Sequence, residues 1–329
     1  MTQANTLSRR WKNLTGERPD LAILIPTALF GLALVIVLSI LSDRFLSWRN
    51  ILNIMTQTSI YLTLAVGMTM VLDSGGIDIS VGSQIGFATT LLGTALARDG
   101  WVWWAAILLC IGGATMCGAF NAFFIVKLKV PPIIVTLGTL TMFRGLAYVY
   151  QEGQTYFGFP SQVLWVSRTR LFGQIPVLVL ISLGILVAGH FFLTRTRTGR
   201  HITAIGGNEE AARLSGINVG KTRALVYIVM GFLAGIATVM NTARLDASQA
   251  VSGSGYELHV IASVVVGGTS LMGGKSFMIG TFLGVMILGV LENGLLMAGV
   301  SYYWQRVLLG FIFIMVVGIR TFRESSEQK

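Results

Sequence analysis

Long runs of apolar residues, separated by short polar stretches, fill this chain from residue 21 onward. A helix needs about 20 such residues to cross the ~30 Å hydrocarbon core of a bilayer, and most of the runs approach that length. The pattern predicts an all-α polytopic protein with about ten transmembrane helices, of which the third follows a glycine-rich break and the eighth is short. The runs are Leu21–Leu41, Ile51–Leu72, Ile79–Ala97, Trp101–Val126, Ile133–Tyr150, Ile175–Leu193, Ala224–Thr242, Leu258–Leu271, Phe277–Met297 and Tyr302–Ile319.

One long polar stretch, Thr194–Arg223, lies between the sixth and seventh runs. Within it Asn208 is a typical helix cap, and two glutamates follow where the helix dipole favours carboxylates. Gly216 suits the end of the same helix. A helix of about seven residues is unstable alone in water, so it needs a surface to pack against. We interpret it as a docking helix for a cytosolic partner, with a solvated linker as the alternative; its small apolar side consists of Ala211, Ala212, Leu214 and Ile217.

Composition agrees with a membrane protein. Hydrophobic residues make up 53% of the 329 residues and charged residues only 12%, about half the charged share of a soluble domain. The net charge is +10, but the basic residues cluster between apolar runs rather than among exposed aromatic residues. Nucleic-acid binding is therefore not predicted, whereas contact with anionic membrane lipid explains the charge.

The distribution of Lys and Arg predicts the orientation in the membrane. With the N-terminus in the cytoplasm, the even-numbered loops and both tails hold 16 of the 24 basic residues, as the positive-inside rule expects. This orientation places Thr194–Arg223 and the tails 1–20 and 321–329 in the cytoplasm, around one transmembrane domain, 21–320. The first run is too long for a cleaved signal peptide. The loop Gln151–Gln174 then lies outside, as an interfacial helix, a lip for an external partner or a lipid anchor.

Small residues spaced four apart within the runs predict close packing between helices. Cys110 and Cys117 share one run, where helical spacing separates them by roughly 10 Å. That is too far for a disulfide, so both are predicted to be packing residues. The small-residue pairs are Gly231 with Gly235 and Gly280 with Gly284.

Two glycine-rich segments interrupt the apolar pattern, Gly67–Ser83 and Ser263–Ser276. Unwound backbone at membrane depth persists only where protein buries it or where it lines a water-filled cavity. The breaks therefore predict an internal pathway, and their places in the two halves of the chain predict an internal, inverted repeat. The pathway residues predicted at the breaks are Asp73, Ser74, Gly75, Gly76, Asp78, Ser80, Gly267 and Gly268.

Ionisable residues inside membrane segments are functional candidates because they are costly there. Asp73 and Asp78 flank the first break, where capping of the half-helices is the alternative role. Glu292 and Asn293, in the ninth run, are predicted to line the pathway, with bonding to neighbouring helices as the alternative. Arg144 lies near the end of its run and is expected to extend toward the outer surface.

No motif for catalysis or nucleotide binding is recognisable. Gly274–Ser276 ends like a phosphate-binding loop, but that motif needs a glycine where this chain has Thr269. The histidines His190, His201 and His259 are scattered and have no metal-type spacing. We therefore predict that the chain is not an enzyme and holds no metal or cofactor.

Five segments together resemble the permease subunits of bacterial ATP-binding cassette (ABC) importers for monosaccharides of the ribose, galactose, xylose and arabinose type. They extend over most of the chain after residue 45. The segments are AVGMTMVLDSGGIDISVGS (Ala65–Ser83), AIGGNEEAARLSGINV (Ala204–Val219), GSGYEL (Gly253–Leu258), GGTSLMGGK (Gly267–Lys275) and NGLLMAGVSYYWQ (Asn293–Gln305).

The resemblance implies a multi-pass subunit of the bacterial inner membrane that pairs with a second permease and imports a monosaccharide by alternating access. It also implies a cytosolic ATPase that binds ATP and Mg, and a periplasmic sugar-binding protein. Asn is expected at position 292 in many relatives, so Glu292 is a departure that weakens any transfer of sugar identity. The residues that resemble the coupling helix, which seats in the ATPase, are Gly206, Gly207, Asn208, Glu209, Glu210, Ala211, Ala212, Arg213, Leu214, Ser215 and Gly216.

Two other classes of protein remain as alternatives. An ion-coupled secondary transporter would use Asp73, Asp78 or Glu292 as proton sites, and a passive channel or membrane scaffold would move no solute against a gradient. The predicted docking helix argues against both, since neither class needs a cytosolic motor. The sugar cannot be read from the chain, because in such importers the soluble binding protein does most of the selecting.

Overall fold

The computed structural model describes residues 19–171 and 173–327, so the predicted tail with Arg9, Arg10, Lys12 and Arg18 lies outside the described residues. The described part is helical apart from two antiparallel pairs of two-residue strands, in which β1 (Tyr156–Phe157) pairs with β4 (Ala247–Ser248) and β2 (Arg170–Leu171) with β3 (Ile175–Pro176). Its α-helices are α1 Pro19–Leu41, α2 Trp48–Asp73, α3 Val81–Gly93, α4 Trp103–Val126, α5 Pro132–Gln151, α6 Ser161–Arg168, α7 Val177–Arg195, α8 Arg197–Gly207, α9 Glu209–Leu214, α10 Val219–Leu245, α11 Tyr256–Val266, α12 Met278–Met297 and α13 Tyr302–Glu327.

Each of the ten predicted runs contains a helix. Seven helices in the described residues are long and apolar enough to cross a membrane, namely α1, α2, α4, α5, α7, α10 and α12. The third run forms only the 13-residue α3, followed by a π-helix at Thr94–Arg98, and the eighth run forms the 11-residue α11. The chain is therefore an all-helical, multi-pass membrane protein.

Helices α2 and α10 form the buried centre and run antiparallel. Gly67 of α2 lies against Met230 and Leu233 of α10, whereas the Thr63 hydroxyl, one turn earlier, lies 3.6 Å from Met240 Sδ. Most of both helices is buried, and α1 mostly faces outward. A residue's position along α2 therefore fixes its depth in the molecule.

Small residues allow close helix packing, as the sequence predicts. A Cβ on Gly118 of α4 would collide with the carbonyl oxygen of Tyr227, and it would lie 3.1 Å from Gly231 of α10. Gly280 and Gly284 of α12 are pressed in the same way against backbone of Gly267 and Ser263. Both cysteines, Cys110 and Cys117, are buried and free, so their prediction as packing residues is confirmed.

The two short helices each follow an irregular segment, 74–80 before α3 and 246–255 before α11. The second segment packs against the start of α3, because a Cβ on Gly82 of α3 would collide with the Gly253 carbonyl oxygen, and also with Glu257 of α11. Arg144 of α5 links the start of α3 to the second segment: it donates to the carbonyl oxygens of Gly82 at 3.0 Å and of Ser252 at 2.8 Å, and to that of Ala250. The expectation that Arg144 extends outward was wrong, since the carbonyl groups of Ala250 and Ser252 belong to irregular backbone and need donors within the protein.

The polar stretch contains two helices rather than one. The helix α8 was not predicted; its N-terminus is capped by Thr196, whose side chain accepts from the Gly199 N–H at 3.0 Å. The helix α9 begins as predicted, with the Asn208 side chain accepting from the Ala211 N–H at 2.9 Å, and Gly216 follows it with φ at +82°. Helix α10 begins at Val219, so the basic residues Lys221 and Arg223 belong to its first turns rather than to the loop.

Candidate functional site

The two glycine-rich breaks meet at the inner end of α2, which is the end nearest the polar stretch. Asp73 is the last residue of α2, and its Oδ2 accepts from the Thr203 hydroxyl at 2.7 Å and from the Ser276 hydroxyl at 2.8 Å. We call Asp73, Thr203 and Ser276 the inner cluster. It ties together the first break, the second break and α8.

Glycines make this junction possible because the backbones touch. A Cβ on Gly206 of α8 would collide with the carbonyl oxygen of Asp73, and one on Gly273 would lie 2.9 Å from both Gly206 and Gly75. Gly273 and Gly274 have φ of +89° and +71°, in the left-handed region where glycine is favoured. The predicted breaks are thus in direct contact with each other and with the loop that carries α9.

The other residues predicted at the breaks are mostly buried, and they form hydrogen bonds or pack against neighbouring residues. Asp78 is fully buried and accepts from the Ser80 N–H at 2.9 Å and from the Gln84 side-chain amide at 3.0 Å, so it holds the segment that leads into α3. Ser74 donates to the Val71 carbonyl at 2.7 Å. The remaining members of the set are also placed: Ser80 accepts from Asn121, Gly76 lies beneath the Tyr227 hydroxyl, Gly267 packs on Gly280, and Gly268 has φ of +111°.

A second polar cluster surrounds Glu292, toward the other end of α2. Glu292 Oε1 lies 3.1 Å from His259 Nδ1, and Oε2 accepts from the Gln57 amide at 3.2 Å. The His259 ring stacks on Tyr61 with centroids 3.9 Å apart. We call Gln57, Tyr61, His259 and Glu292 the outer cluster. Sequence reasoning did not assign His259, although a histidine within an apolar run was the available signal.

Three members of the outer cluster, Tyr61, His259 and Glu292, line a cavity of about 130 Å³. Gln57 and Asp73 are 16 positions apart on α2, so the outer and inner clusters are separated by about 24 Å. Asn293 does not belong to the cavity wall; it is buried in a reciprocal amide pair with Asn50, at 2.8 and 2.9 Å. The principal wall residues are Tyr61, Tyr256, His259, Glu292, Tyr302 and Arg306.

The short helix α9 is attached to the protein by Glu209. Its carboxylate accepts from Arg223 at 2.9 Å and from Arg213 at 3.2 Å. The bond from Arg223 is the main reason why the pKa of Glu209 lies below its ordinary value. A groove of about 520 Å³ borders this attachment, between α9 and the connection from α4 to α5.

The apolar residues of α9 do not form one side, as the sequence suggested. Ala212 is only 4% exposed and packs on the protein, whereas Leu214 is 82% exposed. The reason is the 100° turn per residue of a helix, which separates two positions by about 200°. The helix therefore packs through Ala212 and leaves Leu214 available on the opposite side.

A bundle of apolar helices with irregular backbone and polar clusters buried in its core defines a multi-pass membrane protein of the transporter class. A sequence profile of the family described as "Branched-chain amino acid transport system / permease component" matches residues 50–317, so the chain belongs to this family.

Curated relatives cover nearly the whole chain. It is 38% identical over 295 residues to the ribose import permease protein RbsC of Escherichia coli K12, which covers 87% of this chain and 90% of the relative. It is 34% identical to the D-allose transport system permease protein AlsC of the same strain, over 88% and 89% of the two chains. It is 32% identical to the autoinducer 2 import system permease protein LsrC of Enterobacter sp. strain 638, over 93% and 87%.

These findings confirm the resemblance to ABC importer permeases. The chain is the non-catalytic permease component, and in this family a separate subunit is the ATPase that binds ATP. Membership of an ABC importer also implies a binding protein as a partner. Because the chain is an ABC importer permease, the two alternative classes, a secondary transporter and a passive channel or scaffold, are wrong.

Proposed function

We propose that this chain is the membrane subunit through which a bacterial ABC importer moves a monosaccharide into the cytoplasm. The observation that carries the substrate class is the 38% identity to a ribose import permease over 87% of the chain. The similarity to the D-allose permease supports the same class. The autoinducer 2 permease is nearly as similar, so which sugar is carried is a question for the uptake experiment.

The topology that we propose has ten membrane segments, with α3 and α11 as re-entrant or short crossings. Two units support an inverted repeat: α2 has 26 residues and leads through segment 74–80 to the 13-residue α3, and α10 has 27 and leads through 246–255 to the 11-residue α11. The two long helices are antiparallel, as an inverted repeat requires. The repeat therefore pairs the first break with 246–255 rather than with Ser263–Ser276.

The coupling segment in this proposal runs from Gly206 to Gly216 and comprises the last two residues of α8 and the whole of α9. Leu214 is its exposed contact for the ATPase. The concentration of basic residues at this end supports a cytoplasmic location, and both termini lie on the same side. A helix of six residues is not stable without packing. Its attachment to the protein through Ala212 and Glu209 stabilises it, and the same attachment would transmit force from the ATPase.

Transport would proceed by alternating access. Closure of the ATPase moves α9 and α8, and contact between Gly206 and Asp73 passes that movement to both breaks. The ATPase can drive this change only if its contacts with the loop differ between the two transport states. A partner that binds both states equally does not shift the equilibrium between them. A second permease, identical or different, completes the membrane pathway.

The proposal is tested with the assembled importer, including its ATPase and binding protein, in proteoliposomes. We expect ATP-dependent accumulation of at least one of D-ribose, D-allose and D-xylose. No accumulation of any of the three, with L-leucine transported instead, would reject a monosaccharide substrate.

The docking surface is tested with single cysteines, since Cys110 and Cys117 are buried. We expect Leu214→Cys to crosslink to the ATPase and to react with a thiol reagent supplied to the cytoplasmic side. Phe157→Cys is the matched control, because Phe157 is 65% exposed in the predicted outer loop; it should not crosslink and should react only from the outside. The reversed labelling pattern would reject the proposed orientation.

A further inference from the structure

We infer that the outer loop, residues 151–174, is a second coupling element of this permease. Its helix α6 docks the soluble binding protein, and Asp246 passes the docking to the irregular segment 246–255. This inference rests on the proposed function, because it uses the proposed orientation and the binding protein that an ABC importer implies. It assigns the loop one of the three roles that the sequence left open.

Each of the two irregular segments is tied to a surface loop through an aspartate at the end of a long helix. Asp73 ends α2 and accepts from Thr203 of α8 at 2.7 Å. Asp246 directly follows α10 and accepts from the Phe159 N–H at 2.9 Å and from Arg168 at 3.2 Å, both in the outer loop. Because α2 and α10 are antiparallel, their ends lie at opposite faces. Each face therefore has a loop attached to the segment that interrupts the helices there.

Further bonds hold the outer loop on the segment 246–255. Strand β1 of the loop pairs with β4 of the segment, with Phe157 opposite Ala247. The buried Gln151 side chain donates to the Ser248 carbonyl oxygen at 2.8 Å. The Ser248 hydroxyl in turn donates to the Thr89 carbonyl oxygen of α3 at 2.7 Å. The loop is thus connected through the segment to the short helix α3.

The exposed side of α6 fits a soluble partner. Val163 and Leu164 are buried and pack the helix on the protein. Trp165 is 55% exposed, and the Arg168 side chain is 64% exposed. Trp and Arg are enriched among the residues that dominate binding at protein interfaces. A helix that anchors in lipid presents an apolar side, whereas the other exposed residues of α6 are polar, namely Ser161 and Gln162.

Charge specifies the chemistry of the partner's surface. Arg170, two residues beyond α6, is exposed and forms no ion pair within the described part of the chain. Arg49, at the start of α2, is also exposed, and both arginines line a pocket of about 320 Å³ that contains no Asp or Glu among its described lining residues. Unpaired positive charges at the outer end favour acidic residues on the docking face of the binding protein.

Transmission is measured on the assembled importer as the ATPase rate with and without liganded binding protein. Asp246→Gly removes both side-chain bonds to the outer loop, while glycine freely adopts the φ of +49° found at this position. We expect the basal ATPase rate to stay close to the wild type and the stimulation by the binding protein to fall about tenfold. Asp99→Ala is the matched control and should keep full stimulation, because Asp99 pairs with Arg98 and its side chain is 32% exposed, against 34% for Asp246.

Arg168→Met tests the same link from the side of the loop. If Arg168 acts through Asp246, the variant should lower the stimulation, and combining it with Asp246→Gly should lower it no further than Asp246→Gly alone. Full stimulation in Asp246→Gly would overturn the inference. A parallel fall of the basal rate, the stimulated rate and the Tm would assign Asp246 a purely structural role and reject transmission.

Docking is tested with Trp165→Cys, which we expect to crosslink to the binding protein. Leu214→Cys is the control and should not crosslink to it. Lipid contact is the competing role, since Trp is also common at membrane interfaces. A fluorophore on Trp165→Cys that is quenched by brominated lipid, without a crosslink to the binding protein, would assign a lipid anchor and overturn the docking role.

Failure of the proposed function gives different patterns. A crosslink from Trp165→Cys to the ATPase would reject the proposed orientation and the docking role together. If the substrate is not a monosaccharide, the wild-type ATPase would be stimulated by binding protein loaded with L-leucine and not with D-ribose, D-allose or D-xylose. The comparison of Asp246→Gly with Asp99→Ala would then be made with L-leucine, and its outcome would still support or overturn transmission through Asp246.

Discussion

The backbone N–H of Gly274 donates to the carbonyl oxygen of Asp73 at 3.0 Å. The side chain of Asp73 makes a second link to the same loop through Ser276, 203 positions further along the chain. The end of α2 is therefore held by the second break as well as by the first. Any displacement of the loop at 267–277 has to move α2 or break these bonds.

Gly206 and Gly207 provide a matched pair of substitutions at this junction. Gly206→Ala would force a Cβ against the Asp73 carbonyl, whereas the nearest atom to a Cβ on Gly207 is 3.9 Å away. We expect Gly206→Ala to destabilise the junction by about 1–3 kcal/mol and to reduce ATP-driven uptake. Gly207→Ala should stay close to the wild type in both thermal unfolding and uptake. Equal behaviour of the two variants would show that the close contact is not required.

Gly118 tests the packing of α4 on α10. Gly118→Ala places a methyl group against the Tyr227 carbonyl, while a Cβ on Gly112, in the same helix, meets nothing within 4 Å. We expect Gly118→Ala to lower the free energy of unfolding by about 1–3 kcal/mol, seen as a lower Tm in detergent. Gly112→Ala should be neutral, or slightly stabilising because alanine favours helix. A lower Tm for Gly112→Ala alone would contradict this packing.

Glu209 predicts a pH dependence for the attachment of α9. Its pKa is lowered in the folded protein, mainly by the hydrogen bond from Arg223. The contribution of Glu209 to folding stability is therefore complete above its pKa in the unfolded chain, about 4.3. It is lost as the pH falls through the lower pKa of Glu209 in the folded protein. Glu209→Gln should reduce stability at pH 7, and its difference from the wild type should vanish in acid.

The size of the Glu209 effect is limited by exposure. The side chain is 41% exposed, so we expect no more than about 1 kcal/mol, decreasing with added salt. Glu210→Gln is the control, because Glu210 is 66% exposed and pairs with Arg213 of the same helix at 3.4 Å. Thermal unfolding of the three proteins between pH 3 and pH 7 provides the comparison. A stability difference between Glu209→Gln and the wild type that widens in acid would contradict the stabilising role of ionised Glu209.

Arg144 tests the link between the start of α3 and the irregular segment 246–255. Arg144→Met would leave the carbonyl groups of Gly82, Ala250 and Ser252 without that donor. We expect a loss on the order of 1–3 kcal/mol for each carbonyl left unpaired, seen as poor membrane yield or a much lower Tm. Arg98→Met is the control, since Arg98 is exposed and pairs with its neighbour Asp99. Similar Tm values for the two variants would exclude a structural bridge.

The sequence predicts features that depend on neighbouring residues. Asn208 as a cap and Gly216 as the end of α9 were readable because the signals lie within a few positions of one another. The helix α8 was missed although Thr196 is a typical cap, and its glycines Gly199, Gly206 and Gly207 are residues that disfavour a helix interior. Those glycines are required by contacts instead: Gly199 lies against backbone of Phe192 and Leu193, and Gly206 against Asp73.

Contacts between residues that are far apart in the sequence could not be predicted from it. Glu292 was predicted as a pathway residue from its position in an apolar run, but its partners His259 and Gln57 are 33 and 235 positions away. The same holds for Arg144, whose acceptors are backbone carbonyl groups of any residue type. Its position near the end of a run suggested an exposed guanidinium, and only the folded chain shows which carbonyl groups lack donors.

The continuity of α2 has a mechanical consequence. The helix is unbroken from Trp48 to Asp73 and contains no proline, so any tilt would move it as a stiff rod. Met230 of α10 lies so close to Gly67 that a Cβ there would collide with the Met230 sulfur. If that point is the fulcrum, the arm to Asp73 is about 9 Å long and the arm to Gln57 about 15 Å. A push at the cytoplasmic arm would then swing the far arm the opposite way, with an amplitude roughly 1.7 times greater.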